Sequence, residues 1–264
     1  MPRIIVCLKQ AIDVSQLKAD PSTRRLITDG VSRKISDFDK NALEEAVRLK
    51  EKLGGEVITV TASVEDAKTS IREALAMGAD KGYLIIDEAL QNSDTLATST
   101  VLAEAVKKTG QFDLILCGEA SIDGFSAQVG PRLAELLKIP VITYARKISF
   151  EDNIVTVEKV LEDRYETVKT KTPAIVTVTK EINEPRIPSL MAIMKASKKE
   201  IVTWRLADIG VLPEKVGETG SGVKIVDVSA PKVERKKVVI EGENPAEIAE
   251  KLVKKLIQDG VVGR

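Results

Sequence analysis

Short apolar runs alternate with stretches of helical periodicity through the first half of the chain, and this alternation limits the fold more than any other feature. The runs cover 4–8, 56–61, 82–86 and 114–117, and the periodic stretches cover 40–53, 65–77, 95–108 and 127–137. A β-α-β-α order predicts a parallel sheet with helices on both faces, because parallel strands need crossover connections. Helix ends are punctuated as this reading requires. Ser63 with Asp66 resembles a capping box, Asp39 is placed to cap the helix over 40–53, and Gly54 and Gly78 stand where C-terminal caps belong.

After Pro140 the pattern changes to hairpin style, with strands over 141–148, 154–161 and 167–179 separated by turns at Asp152-Asn153 and near Asp163. Pro185 and Pro188 then interrupt regular structure, and 189–196 reads as a short helix exposing Leu190, Met191, Ile193 and Met194. From Ile201 the alternation is lost. A glycine-rich segment at 217–222 reads as a linker before a last amphipathic helix over 245–258, with Asn244 as cap, Pro245 in the first turn, and Ile248, Leu252, Val253 and Leu256 on one face. The expected architecture is an α/β fold: a Rossmann-like parallel sheet with flanking helices, antiparallel edge strands and an extended C-terminal arm. Residues 1–200 are expected to form the nucleotide-binding domain and 201–264 the arm.

The stretch 114–132 carries the chemistry. An apolar run, Leu114-Ile-Leu-Cys117, ends in a loop holding Gly118, Gly124 and Gly130 that feeds into a helix. The first N–H groups of a helix have no partners inside it, and the helix dipole makes them attractive to anions, so a phosphate is held without a lysine. Neither GxxxxGK[ST] nor GxGxxG is present, so the loop is not a Walker cradle or a standard dinucleotide fingerprint. An ordinary strand-to-helix connection has the same outline.

Composition removes other chemistries. Lys+Arg and Asp+Glu each number 40, which disfavours a nucleic-acid partner. Histidine is absent, and with it the usual general base and zinc ligand, so redox or group-transfer chemistry has to come from a cofactor and no metal site is expected. Cys7 and Cys117 lie in apolar runs without a CxxC pair and read as buried structural residues. No run is long enough for a membrane span, the N-terminus reads as a strand, and a cytoplasmic location is expected.

Taken together, these segments resemble the β subunit of electron transfer flavoproteins. The resemblance rests on Val6-Cys-Leu-Lys-Gln10 with Ile12-Asp13, the stretch 38–51, Ala74-Leu-Ala-Met-Gly-Ala-Asp80, the loop 120–130, residues 159–177, and Asn183-Glu-Pro-Arg186. Arg164, Val160 and Ser36-Asp37 depart from the family's usual residues. The resemblance implies a nucleotide site made of Cys7, Ser36, Asp37, Phe38, Asp39, Ala62, Gly118, Glu119, Ala120, Ser121, Ile122, Asp123, Gly124, Phe125, Ser126, Ala127, Gln128, Val129 and Gly130, with Arg186 and Leu190 recognising a partner and no residue acting as a conventional catalyst. Glu119 and Asp123 are expected to cap local turns or accept from ribose hydroxyls, since they would repel a phosphate.

In this family the site holds FAD in electron-bifurcating members and AMP in conventional ones. Asp123-Gly124 and Gln128-Val129-Gly130-Pro131 resemble the bifurcating type. That implies FAD here, NADH as electron donor, and electrons divided between a ferredoxin or flavodoxin and the FAD of an α subunit leading to an acyl-CoA dehydrogenase or quinone oxidoreductase, within a possible larger membrane-associated complex. The alternatives are a conventional β subunit with structural AMP and a stand-alone adenine-nucleotide-binding protein.

Overall fold

In the computed structural model, which describes residues 1–232 and 237–263, the main sheet has nine strands. In chain order they are β1 (Arg3–Cys7), β2 (Glu56–Ser63), β3 (Lys81–Ile86), β4 (Leu114–Gly118), β5 (Val141–Glu151), β6 (Ile154–Val160), β7 (Tyr165–Lys171), β8 (Ala174–Val178) and β9 (Ile201–Trp204). Across the sheet they lie β7-β6-β5-β8-β4-β1-β2-β3-β9. All pairings are parallel except β5–β6 and β6–β7, which form the antiparallel edge. Small antiparallel pairs, Gln10–Ile12 with Arg33–Ile35 and Lys18–Ala19 with Leu26–Ile27, sit beside it.

Alternation along each strand feeds two cores. Ile4 and Val6 of β1 face helices α1 (Asp37–Leu53) and α2 (Lys68–Met77), packing with Leu43, Val47, Ile71 and Leu75. Ile5 and Cys7 face the other way, toward α3 (Thr95–Thr109) and α4 (Val129–Leu137), with Val101 and Leu133. Each buried aliphatic side chain contributes about 1.5–3 kcal/mol, so this double-sided burial holds the central strands. Among the described residues no helix is long and apolar enough to cross a membrane.

Several local expectations are corrected. The single strand expected over 167–179 is two strands, β7 and β8, separated around Pro173, which has no N–H to give a ladder. Asp39 lies inside α1 and does not cap it, because its carboxylate is drawn to backbone outside the helix. Ser63 and Asp66 accept from the N–H groups of Glu65 and Lys68, making local turns in place of a capping box. Gly54 and Gly78 are the C-caps, with φ of +75° and +132°.

The chain beyond 200 still contributes to the body. β9 pairs with β3, and Leu206, Ile209, Val211 and Val216 are buried against the α3 side. The segment expected to be a free linker is pinned. Asp94 Oδ2 accepts the N–H groups of Gly222 and Val223 at 2.9 and 3.2 Å, and the N–H of Gly217 donates to Ser93 Oγ at 2.8 Å. Close approach explains the glycines there: a Cβ on Gly217 would lie 2.5 Å from Ala89 O, and one on Gly220 2.1 Å from Lys215 C. After Val223 the chain is largely exposed to the last helix, α6 (Pro245–Gln258), whose Asn244 cap accepts the Glu247 N–H and which buries none of its residues.

Candidate nucleotide site and docking helix

Strand order reverses at β1: β2 and β3 extend the sheet one way, and the crossover through α3 places β4 on the other side. In open α/β sheets this switch point leaves a crevice beyond the carboxyl ends of the strands. Cys7 ends β1, Gly118 ends β4, and half-buried Ala62 lies near the end of β2, so three separated stretches of sequence meet there.

The loop after β4 is built to present main-chain N–H groups. Phe125 and Ala127 have φ of +45° and +55°, while Gln128 has φ of −109°, an alternation of handedness of the kind that turns nearby main-chain N–H groups toward one side. Holding non-glycine residues there costs about 1–3 kcal/mol each, a feature of ligand-binding turns. Among the described residues, no acceptor takes the N–H groups of Ser126, Ala127, Gln128, Val129 or Gly130. Gly130 is required by packing, since a Cβ would sit 2.5 Å from Thr177 Cγ2.

Side chains at the start of α1 and just before it fix this loop. Ser36 Oγ, fully buried, accepts the N–H of Ile122 at 3.2 Å. Asp39, also buried, accepts from the N–H groups of Lys9 at 2.8 Å and Gly118 at 3.0 Å. Burial pushes the Asp39 carboxyl up to about 7, against the lowering effect of those two hydrogen bonds. Phe38 packs below the exposed ring of Phe125, centroids 5.9 Å apart. Asp37 points elsewhere: it pairs with Lys34 at 3.0 Å and Lys180 at 3.5 Å, on the wall of a separate shallow cavity with Asn41 and Asn183.

Asp123 caps its own turn, accepting the Gly124 N–H at 2.6 Å, and pairs with Lys9 Nζ at 2.7 Å. Burial opposes its charge, but the Lys9 and Ser121 hydrogen bonds outweigh burial and hold it below the ordinary carboxylate value. Glu119 is raised, chiefly by burial and also by Glu181. The Cys117 thiol is pushed well above its usual range by its hydrogen bond with Cys7 and by burial, so it stays protonated. Ala120 is buried, and Ser121 accepts the Phe125 N–H on its carbonyl at 3.0 Å.

Sequence reasoning missed two contributors. Lys9 lies just past β1, and its ammonium reaches the loop only because β1 and β4 are neighbours. Thr95, at the start of α3, donates from Oγ1 to Gln128 Oε1 at 2.7 Å and joins two helix starts at the crevice mouth. Neither has a local sequence signal, as both act across more than one element.

Farther along α1 lies the expected recognition segment. Leu190 begins α5 (Leu190–Ala196) and is 74% exposed, with Ile187, Met191 and Met194 also open, so the patch is contiguous and apolar. Arg186 is half-buried and ion-paired to Glu44 and Glu51 of α1.

Comparison with known proteins identifies the family. A family model described as the electron transfer flavoprotein domain matches residues 23–209. The chain is 43% identical over 254 residues to the electron transfer flavoprotein subunit beta of Thermoanaerobacterium thermosaccharolyticum, covering 96% of this chain and 97% of that one. It is 40% identical to the caffeyl-CoA reductase-Etf complex subunit CarD of Acetobacterium woodii, over 98% of this chain and 100% of that one. Identity to the electron transfer flavoprotein subunit beta of Bacillus subtilis is 38%, over 98% and 99%. The chain therefore belongs to the electron transfer flavoprotein family as a β subunit, which implies an α-subunit partner.

Proposed function

We propose that this β subunit holds FAD in the crevice between Cys7, Ala62 and the loop from Gly118 to Gly130, and serves an electron-bifurcating flavoprotein. The observation that carries the reading is the run of unpartnered N–H groups from Ser126 to Gly130 beside Gly124, where an added Cβ would meet nothing nearer than Ser121 Oγ at 3.5 Å. A diphosphate fits such donors, and a carboxylate in place of Gly124 would add bulk and negative charge beside it. The caffeyl-CoA reductase-Etf complex relative, similar along the whole chain, supports a larger assembly.

Held by the N–H groups of Ser126 to Gly130, FAD would supply hydride acceptance from NADH and single-electron donation to a ferredoxin- or flavodoxin-class acceptor and to the α-subunit FAD, toward an acyl-CoA dehydrogenase or quinone oxidoreductase. The chain's own residues bind and orient. Val129 and Gly130 offer the first N–H groups of α4, Asp39 and Ser36 hold the loop against α1, and Glu119 would accept from a ribose hydroxyl. Leu190 and its neighbours form the docking surface for the acceptor dehydrogenase. The arm after Val223 lies on the α subunit, burying the stripe of Ile248, Leu252 and Val253.

Denaturing the purified αβ complex and recording the released nucleotides tests this. Two flavins per αβ pair are expected. One flavin and one AMP replaces bifurcation with conventional electron carriage, and no adenine nucleotide from the β site overturns the crevice itself.

A further inference from the structure

Residues 183–189 have no regular structure, and Pro185 and Pro188 cannot donate to a ladder. Side chains of α1 set their path. Asn41 Nδ2 donates to Asn183 O at 2.8 Å, Asn183 Nδ2 donates to Asn41 O at 3.1 Å, and Arg48 Nη2 donates to Glu184 O at 3.2 Å. The centre of this clamp is Glu44, whose side chain is only 3% exposed. It accepts the Arg186 backbone N–H at 3.1 Å and Arg186 Nε at 2.8 Å on Oε2, and Arg186 Nη2 at 3.2 Å and Arg48 Nε at 2.7 Å on Oε1. Glu51 takes Arg186 Nη1 and Nη2 at 2.6 and 3.0 Å. The guanidinium fork is thus engaged by two carboxylates of one helix. At the far end of α5, Arg72 Nη1 donates to Ala196 O at 2.7 Å, so the short helix is held at both ends while its apolar face stays open.

We propose that Glu44 is a positioning residue for electron transfer: through Arg186 it fixes where α5 stands, and neither side chain touches the acceptor. A docking segment ordered beforehand loses less conformational freedom on association. The inference rests on the reading of α5 as the docking element.

The test uses the αβ complex carrying Glu44→Gln, Arg186→Lys, both together, or Leu190→Ala. Electron exchange is followed against the concentration of a purified acyl-CoA dehydrogenase. Glu44→Gln and Arg186→Lys are each expected to raise the apparent KM about tenfold, or ~1.4 kcal/mol, with kcat held and nucleotide content unchanged. The double variant is expected to add little to either, since the two residues act as one unit. If Leu190→Ala raises KM while Glu44→Gln and Arg186→Lys leave it alone, or if their effects simply add, the positioning role is overturned. If Leu190→Ala leaves KM alone too, the docking reading falls and this inference with it. Should Glu44→Gln fail to assemble, Arg186→Lys gives the same readout with the charge kept but the bidentate geometry lost.

Discussion

Asp39 accepts the N–H of Gly118 at 3.0 Å from within α1, and with its other oxygen accepts the N–H of Lys9 at 2.8 Å. One buried carboxylate therefore ties the exits of β4 and β1 together at the floor of the crevice. The same helix grips residues 183–186 farther along, so α1 is the common frame for the nucleotide loop and the docking segment.

Asp39 gives stability a specific pH dependence. Its folded-state value near 7 lies above the ordinary 3.8, mainly through burial. The folded state thus binds more protons than the unfolded state between these values. Its contribution is fully present below about 4 and is lost as pH rises through 7, by about 4 kcal/mol at 1.36 kcal/mol per decade. Denaturant unfolding of wild type and Asp39→Asn from pH 4 to 8 checks this: wild type should lose stability relative to the variant as pH rises. A constant difference would show that the carboxylate does not change charge there.

Gly118 and Gly124 should respond oppositely to substitution. A Cβ on Gly118 would lie 2.6 Å from both Asp39 Oδ1 and Phe38 Cβ, so Gly118→Ala should destabilise the subunit by about 1–3 kcal/mol. A Cβ on Gly124 would meet only Ser121 Oγ, at an ordinary contact distance of 3.5 Å, and Gly124→Asp should leave the melting temperature nearly unchanged while weakening nucleotide retention about tenfold, ~1.4 kcal/mol. Thermal melts together with nucleotide titration separate the two effects. Unaltered retention in Gly124→Asp would place the diphosphate elsewhere.

What was legible in the sequence followed from local physics. Alternation gives both faces of the central strands their cores, and α6 runs from Pro245 to Gln258 as read, because Asn244 and Pro245 are start signals that need no tertiary help. What was not legible depends on neighbours distant in sequence. Composition marks 217–222 as flexible, yet Gly217 and Gly220 are there because Ala89 O and the Lys215 backbone come so close. Asp39 has the residue type of a cap, but two strand exits compete for its carboxylate. β9 is a short edge strand whose pairing with β3 cannot be read from Ile201 to Trp204 alone. In the candidate site, the glycine-bearing strand-to-helix loop 118–130 was legible, whereas Lys9 and Thr95 reach it only through the strand order.

Lys9 pairs with Asp123 at the edge of the proposed anion site. Lys9→Met should leave the Asp123 carboxylate facing an incoming phosphate and weaken nucleotide binding about fivefold, the ~1 kcal/mol upper range for a partly exposed pair. Asp123→Asn in the same chain should restore most of the loss. Titration of apo αβ complex with nucleotide at two salt concentrations checks both points, since screening should shrink the Lys9→Met effect. An equal loss in single and double variants would mean that Lys9 acts on the ligand directly.

Asp94 is expected to mark where the body ends and the arm begins. Its Oδ1 caps α3 by accepting the N–H groups of Leu96 and Ala97, both at 2.9 Å, while Oδ2 holds those of Gly222 and Val223. Burial opposes its charge, but the hydrogen bonds from Ala97, Gly222, Leu96 and Val223 outweigh it and keep its pKa below the ordinary value. That stabilisation is present above the unfolded value and is lost as pH falls through the folded one. Asp94→Ala removes both the cap and the pin, and should cost about 2 kcal/mol, at the upper end for a cap alone. Hydrogen exchange gives the sharper readout. The amides of Gly222 and Val223 should exchange faster in the variant, while those of β1 and β4 keep their protection. Next to Asp94, Thr95 holds Gln128, so loosening this corner should also speed exchange at Arg132, whose N–H donates to Gln128 O at 3.0 Å. Unchanged exchange at Gly222 would mean that the packing of Val216 and Gly217, not Asp94, anchors the segment.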